Sequence, residues 1–433
     1  MAATDVQATI DAVWRIEQAR LIAGLARIVR DVGLAEELAQ DALVAALEQW
    51  PASGIPSKPG AWLMAVGKHR ALDRLRRAKL IERKHEEVSR DLELEVASAM
   101  PDLDAALDDD IGDDLLRLIF TACHPLLSTE ARVALTLRLM GGLTTDEIAR
   151  AFLVPEATVA QRIVRAKRTL ADKRVPFEVP RGPDLSQRLA SVLEVIYLIF
   201  NEGYAATAGD SWVRPQLCEE ALRLGRVLAG LASTEPEVHG LVALMEIQAS
   251  RLPARTDANG DPILLLDQNR ARWDRLLIQR GLAALARANV CAREQGKPLG
   301  PYALQAAIGA CHAQARTADE TDWARIVGLY GALAAQVPSP VIELNRAVAL
   351  AMLLGPVAGL EIVDALAEEP ALKAYHLLPS VRGDLLHKLG RLAEARQEFQ
   401  RAASLTRNAR ERKLLEDRAA ACGDSSAAQA WEC

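Results

Sequence analysis

The sequence predicts an all-α chain: two small helical modules, an acidic linker between them, and a large helical body behind. Three observations lead there. Half of the 433 residues are apolar, a quarter are charged and only 4% are aromatic. Ala, Leu and Arg dominate while β-branched runs are scarce, which favours helix. Apolar residues recur at helical spacing almost throughout, and charge falls in blocks along the chain. At about 150 residues per domain the length suggests about three domains. The composition excludes a β-sandwich, a collagen-like chain and an intrinsically disordered one.

Several classes of function fall away at once. No run of about 18 apolar residues occurs, and the nearest approach, 189–200, is short and carries Glu194, so no membrane span is expected. The N-terminus lacks a basic, then apolar, then cleavable export signal. Cys123, Cys218, Cys291, Cys311, Cys422 and Cys433 are scattered singly, as suits reduced thiols in a cytoplasmic protein. A net charge of −6 argues against a general nucleic-acid coat, so any DNA binding rests on local basic patches.

The first module is expected over 1–79. Trp14, Leu21, Leu25, Ile28 and Val29 share a helix face. Gly33 reads as a break, after which Leu34, Leu38, Ala42, Leu43, Ala46 and Leu47 build a second amphipathic helix. Its outer face offers Glu36, Glu37, Gln40, Asp41 and Glu48, an acidic surface suited to a basic groove. Turn residues fill 50–60, and a third helix begins near Ala61 with Trp62, Leu63, Val66, Leu72 and Leu75 for burial. Over 61–79, Lys68, Arg70, Arg74, Arg76, Arg77 and Lys79 stand against Asp73, a net of +5.

The linker, 80–112, carries eleven acids and three Lys or Arg, a net of −8, with weak apolar periodicity. A second module, 113–180, closes on another basic segment, net +4 over 156–174. Its end has the form of a helix-turn-helix. Thr144 or Thr145 caps a helix with acids in its first turn, Leu153, Val154 and Pro155 make the turn, and a second helix starts at Glu156. Ile148, Ala149, Val159 and Ile163 would lock the pair. Glu156, Ala157, Thr158, Gln161, Arg162 and Arg165 stay outside, where a recognition helix reads a major groove. Any one of these basic runs taken alone reads equally as a solvated helix face; two of them flanking an acidic tether do not.

The order D-x-x-x-A-E-E-L-A-Q-D-A-L, then A-W-L-M-A-V-G-K-H-R-A-L-D-R-L-R-R, then L-T-T-D-E-I-A-R-A-F-L-V-P-E-A-T-V-A-Q-R-I-V-R-A-K-R resembles bacterial sigma-70 family factors of the extracytoplasmic-function type. These keep only the second and fourth sigma regions. The resemblance covers roughly 10–175 and departs from the family's habit at Ala42 and His69. It implies that Glu36, Glu37, Gln40 and Asp41 dock on the clamp helices of the largest RNA polymerase subunit. The second module would meet the flap of the second subunit. It implies −10 contacts by Trp62, Lys68, Arg70, Arg74, Arg76 and Arg77, by stacking and strand neutralisation. The −35 element would be read by Glu156, Thr158, Gln161, Arg162 and Arg165, with Lys167 and Arg168 on phosphates or solvated. Trp62 is as well suited to the core as to stacking. Elements about 17 base pairs apart lie about 58 Å apart, and a 33-residue linker reaches roughly 110 Å.

The body, 181–433, shows helix pairs with weak self-similarity: 353–360 aligns with 388–395 at an offset of 35. This resembles tetratricopeptide repeats, whose stacked pairs offer a concave surface to a protein or peptide. In the sigma subgroup with such an extension, the extension is thought to regulate activity in place of a separate anti-sigma protein. No catalytic residue, cofactor or metal site is expected. Cys123 and His124 are adjacent, so on a helix they point about 100° apart, and they read as core and cap. The polar groups of 201–204 and 266–275 sit in apolar surroundings and read as a buried hydrogen-bond network or a small-ligand pocket. The chain is thus expected to be a sigma factor without enzymatic activity; the alternative is a conventional helix-turn-helix regulator with a partner-sensing repeat body.

Overall fold

A computed structural model describes residues 3–85, 111–152, 154–181 and 183–423. It falls into two compact units, Met1–Ile196 and Tyr197–Cys433. Residues 86–110, most of the acidic linker, lie outside the described residues, as do Leu153 and Cys433.

The first unit opens with α1 (Ala3–Val29) and α2 (Val32–Ser53). The break between them falls at Arg30, which has φ 54°, and not at Gly33. Asp31 decides this: its carboxylate accepts from the Leu34 amide at 2.9 Å and caps α2, so Gly33 is already helical. Helix α2 runs on through Pro51 and stops at Gly54, φ 82°, where a glycine tolerates the left-handed conformation. The turn-rich loop is correspondingly shorter, and α3 (Pro59–His85) begins two residues before Ala61. Ile10, Leu21, Leu25, Leu38, Ala42, Ala46, Trp50 and Leu63 are buried among these three helices.

Beyond the linker come α4 (Ile111–Ala122), α5 (Thr129–Leu139), α6 (Thr145–Phe152) and α7 (Glu156–Asp172). Helix α8 (Pro183–Tyr204) follows, and its first half belongs to the same unit. Arg188 donates to the Phe120 carbonyl at 2.7 Å, Ser191 to the Cys123 carbonyl at 2.7 Å, and Glu194 pairs with Arg132 at 3.1 Å.

The second unit is also helical. Its α9 (Pro215–Leu231), α10 (Pro236–Ala249), α11 (Arg275–Glu294), α12 (Pro301–Gln314) and α13 (Trp323–Gln336) precede two helix pairs. These are α14 (Pro340–Leu354) with α15 (Pro356–Leu366), and α16 (Leu377–Lys388) with α17 (Leu392–Leu405). The aligned segments form the turns of these pairs, each around a left-handed glycine, Gly355 (φ 99°) and Gly390 (φ 75°). Leu344, Leu360, Val363, Leu385 and Phe399 fill their shared core. The chain ends on α18 (Ala409–Ala421). Two two-residue strands, β1 (Ala208–Gly209) and β2 (Arg407–Asn408), pair in parallel. The buried Asn408 amide donates to the carbonyls of Ala206 (3.0 Å) and Ser211 (2.9 Å), while its oxygen caps α18.

Candidate nucleic-acid and polymerase interface

Helices α6 and α7 form the pair that the sequence outlines. Thr144 accepts from the Glu147 amide at 3.1 Å and Glu147 accepts from the Thr144 amide at 2.8 Å, a reciprocal capping box. Thr145 donates to Glu156 at 2.9 Å, tying the start of α6 to the start of α7. Ile148, Ala149, Val159, Ile163, Ala166 and Leu170 are buried; the α7 members recur at three- and four-residue steps and so hold one face inward. The opposite face keeps Glu156, Gln161, Arg165 and Arg168 exposed, with Thr158 and Arg162 half-buried. Arg168 faces Asp172 at 3.5 Å, an exposed pair of little energetic weight.

Lys167 is different. It is half-buried and ion-paired with Glu36 of α2 rather than left to solvent on the outer face. The sequence pattern puts Glu36 on the outer acidic surface, but it is 3% exposed and also accepts from Arg138 Nε of α5 at 2.7 Å. The reason is helical phase: Glu36 lies three and seven residues before Ala39 and Leu43, which are buried and half-buried. A carboxylate placed there is stable only with cations around it, and Arg138 and Lys167 supply two. Two further polar contacts cross between the same halves of the unit. Gln18 donates to the Arg138 carbonyl at 3.1 Å, and Arg27 pairs with Asp114 at 3.4 Å. A cleft of about 770 Å³ adjoins them, with Arg27, Arg30, Arg117, Lys167 and Arg174 among its lining.

The other acidic residues of α2 keep the outer face. Glu37, Gln40, Asp41 and Glu48 are exposed. Asp41 approaches Arg70 of α3 at 3.7 Å and Glu37 approaches Arg74 at 3.9 Å. Both pairs are long and solvated and leave the carboxylates available. Arg74, Arg76 and Arg77 are exposed, and Lys68 and Arg70 are half-buried. Trp62 is half-buried and packs edge-on against the fully buried Trp50, ring centroids 5.3 Å apart, so core packing accounts for its position.

Cys123 and His124 do not form a thiol–base pair. Burial pushes the Cys123 thiol up to about 11, against a hydrogen-bonding contact with Thr136. Burial and then the Arg188 charge hold His124 down at about 4, and its Nδ1 accepts from the Leu126 amide at 3.2 Å. Among the described residues no group of three metal-ligating side chains gathers, and no helix is long and apolar enough to cross a membrane.

A capped helix pair locked on its inner face, with a basic outer face on its second helix, has the form of a DNA-binding helix-turn-helix. Comparison with known families agrees. A model described as Sigma-70 region 2 matches residues 15–81, one described as Sigma-70, region 4 matches 117–170, and a family of unknown function, DUF6596, matches 188–289. An uncharacterized protein of Rhizobium meliloti, R00370, is 45% identical over 388 residues, 89% of each chain. A probable ECF RNA polymerase sigma factor of Mycobacterium tuberculosis, SigI, is 27% identical over 172 residues, 39% of this chain and 57% of that one. No solved structure matches. The chain belongs to the sigma-70 family of sigma factors and carries a long helical C-terminal extension. Such families are non-enzymatic, DNA-binding transcription initiation factors.

Proposed function

We propose that this sigma factor captures core RNA polymerase through the exposed face of α2, directs it to promoters with two DNA elements, and is regulated by its C-terminal body. Glu37, Gln40 and Asp41 dock on the clamp helices of the largest subunit. The second module meets the flap of the other large subunit. Lys68, Arg70, Arg74, Arg76 and Arg77 neutralise the −10 strand. Glu156, Thr158, Gln161, Arg162 and Arg165 face the −35 groove, and Arg168 lies near phosphates. The observation that carries this reading is the phase of α7: its inward stripe is fixed by α6, and every one of those five residues lies off that stripe.

On this reading, promoter elements about 58 Å apart are met with the two modules parted. Parting them breaks the Glu36 pairs with Arg138 and Lys167. The test is transcription with purified core polymerase and genomic DNA, mapping the starts. Specific starts that need this protein and weaken with Arg165→Ala support the reading. Binding to duplex DNA without polymerase, with stimulation only of polymerase already carrying another sigma factor, overturns it.

A further inference from the structure

Outside the two sigma modules, the second unit holds an arrangement that none of the foregoing uses. Tyr204, at the end of α8, lies against two short stretches of chain between α10 and α11, which carry Arg251, Arg255, Arg270 and Trp273. Their flat groups alternate. The Arg255 guanidinium lies 3.7 Å from the Tyr204 ring centroid, and Arg251 lies 5.8 Å from Tyr204 and 5.7 Å from Trp273. Arg270 lies 5.0 Å from Trp273 on the next step.

Aromatic faces satisfy the faces of guanidinium groups, not their donors, which point outward in the plane of the group. Arg270 directs its donors to the carbonyls of His312 (2.5 Å) and Ala315 (2.9 Å) and to Thr321 (3.3 Å). Arg251 has the Tyr204 hydroxyl as a side-chain partner, but the inner donor, Nε, of Arg251 and of Arg255 has no such outlet. Both are more than nine-tenths buried, and Nε of each is buried without a hydrogen-bond partner, as is Nε1 of Trp273. Among the described residues neither guanidinium forms an ion pair with a carboxylate. Nearby, His312 is also buried, and burial followed by the Arg251 and Arg270 charges holds it at about 4, so near neutral pH it is uncharged and adds no further positive charge.

Buried arginines are ordinarily matched by carboxylates or by a ring of carbonyls. Here two cations stand against the same aromatic rings with no carboxylate paired to them, and three N–H donors among these residues are unanswered. The geometry points to a binding site for a small oxyanion, a phosphate or carboxylate group, held between Arg251 and Arg255 with Trp273 Nε1 as a third donor. A planar fork of donors suits such groups. The burial selects a small molecule over a protein segment. The inference is independent of polymerase binding.

The test uses the full-length protein, titrated with sodium phosphate and, separately, sodium succinate, at ionic strength held constant with sodium chloride. Tryptophan fluorescence and unfolding temperature are the readouts. A saturable response to one of the two anions is expected, and which one responds assigns the oxyanion. Arg255→Gln is expected to weaken it about tenfold or more, the effect of losing about 1.4 kcal/mol. Because that variant can fail to fold, a second measurement uses the native protein: the responding anion should slow phenylglyoxal modification of Arg251 and Arg255, mapped by peptide mass spectrometry. Responses that sodium chloride reproduces for both anions, or saturation with no protection of either arginine, would show that the stack is internal structure and overturn the assignment.

Discussion

Glutamine at position 36 separates two opposite expectations. Glu36→Gln keeps the size of the side chain and removes the charge that Arg138 and Lys167 share. Removing one partner of a deeply buried pair costs roughly 3–5 kcal/mol. Here both cationic side chains keep 23% exposure, so water recovers part of that, leaving about 1.5–3 kcal/mol. The arrangement in which the modules share Glu36 then weakens roughly ten- to hundredfold relative to the separated one. Amide hydrogen exchange reads this directly: exchange over 32–53 and 156–172 should accelerate, and fluorescence anisotropy should report tighter capture of core polymerase. Glu37→Gln and Asp41→Asn, which remove exposed carboxylates, should weaken capture. If Glu36→Gln leaves exchange unchanged and weakens capture as Glu37→Gln does, then Glu36 is a docking residue and does not hold the two modules together.

Further outcomes follow from other parts of the molecule. Asn408→Ala removes two hydrogen bonds to carbonyls and the cap of α18, and should cost about 2–3 kcal/mol in urea unfolding. His312 and His124, both held at about 4 chiefly by burial, take up protons in the unfolded chain at higher pH than in the folded one. Stability should be complete above about pH 6.5 and fall between there and pH 4. His312 accounts for at most about 3 kcal/mol of this and the more exposed His124 for less; equal urea midpoints at pH 7 and pH 4.5 would contradict it. A chain ending at Pro180 loses the Arg188, Ser191 and Glu194 contacts and should melt about 5 °C or more below one ending at Ile196. Equal melting would show that α8 does not stabilise the first unit.

Much of this architecture was legible in the sequence because it rests on local rules. The capping box at Thr144 and Glu147, the three- and four-residue spacing from Val159 to Leu170, and the glycine turns at 355 and 390 each involve residues a few positions apart. What the sequence concealed depends on long-range contact. Glu36 sits one residue from the exposed Glu37, and nothing local distinguishes them; their difference is made by Arg138 and Lys167, more than a hundred positions away. The break falls at Arg30 and not at Gly33 because the Asp31 carboxylate caps α2, a contact less conspicuous in a sequence than a glycine. The polar residues of 201–204 and 266–275 were recognisable as misfits in apolar surroundings. Only the fold shows that Tyr204 and Trp273 interleave with Arg251, Arg255 and Arg270.

On the proposed function, this chain joins core polymerase by itself. Equilibrium binding of the full-length protein to purified core enzyme, lacking any other sigma factor, tests it most directly. A saturable one-to-one complex is expected, weakened at least tenfold by Glu37→Gln with Asp41→Asn. Absence of any complex with core enzyme, for the native protein and for Glu36→Gln alike, would contradict it.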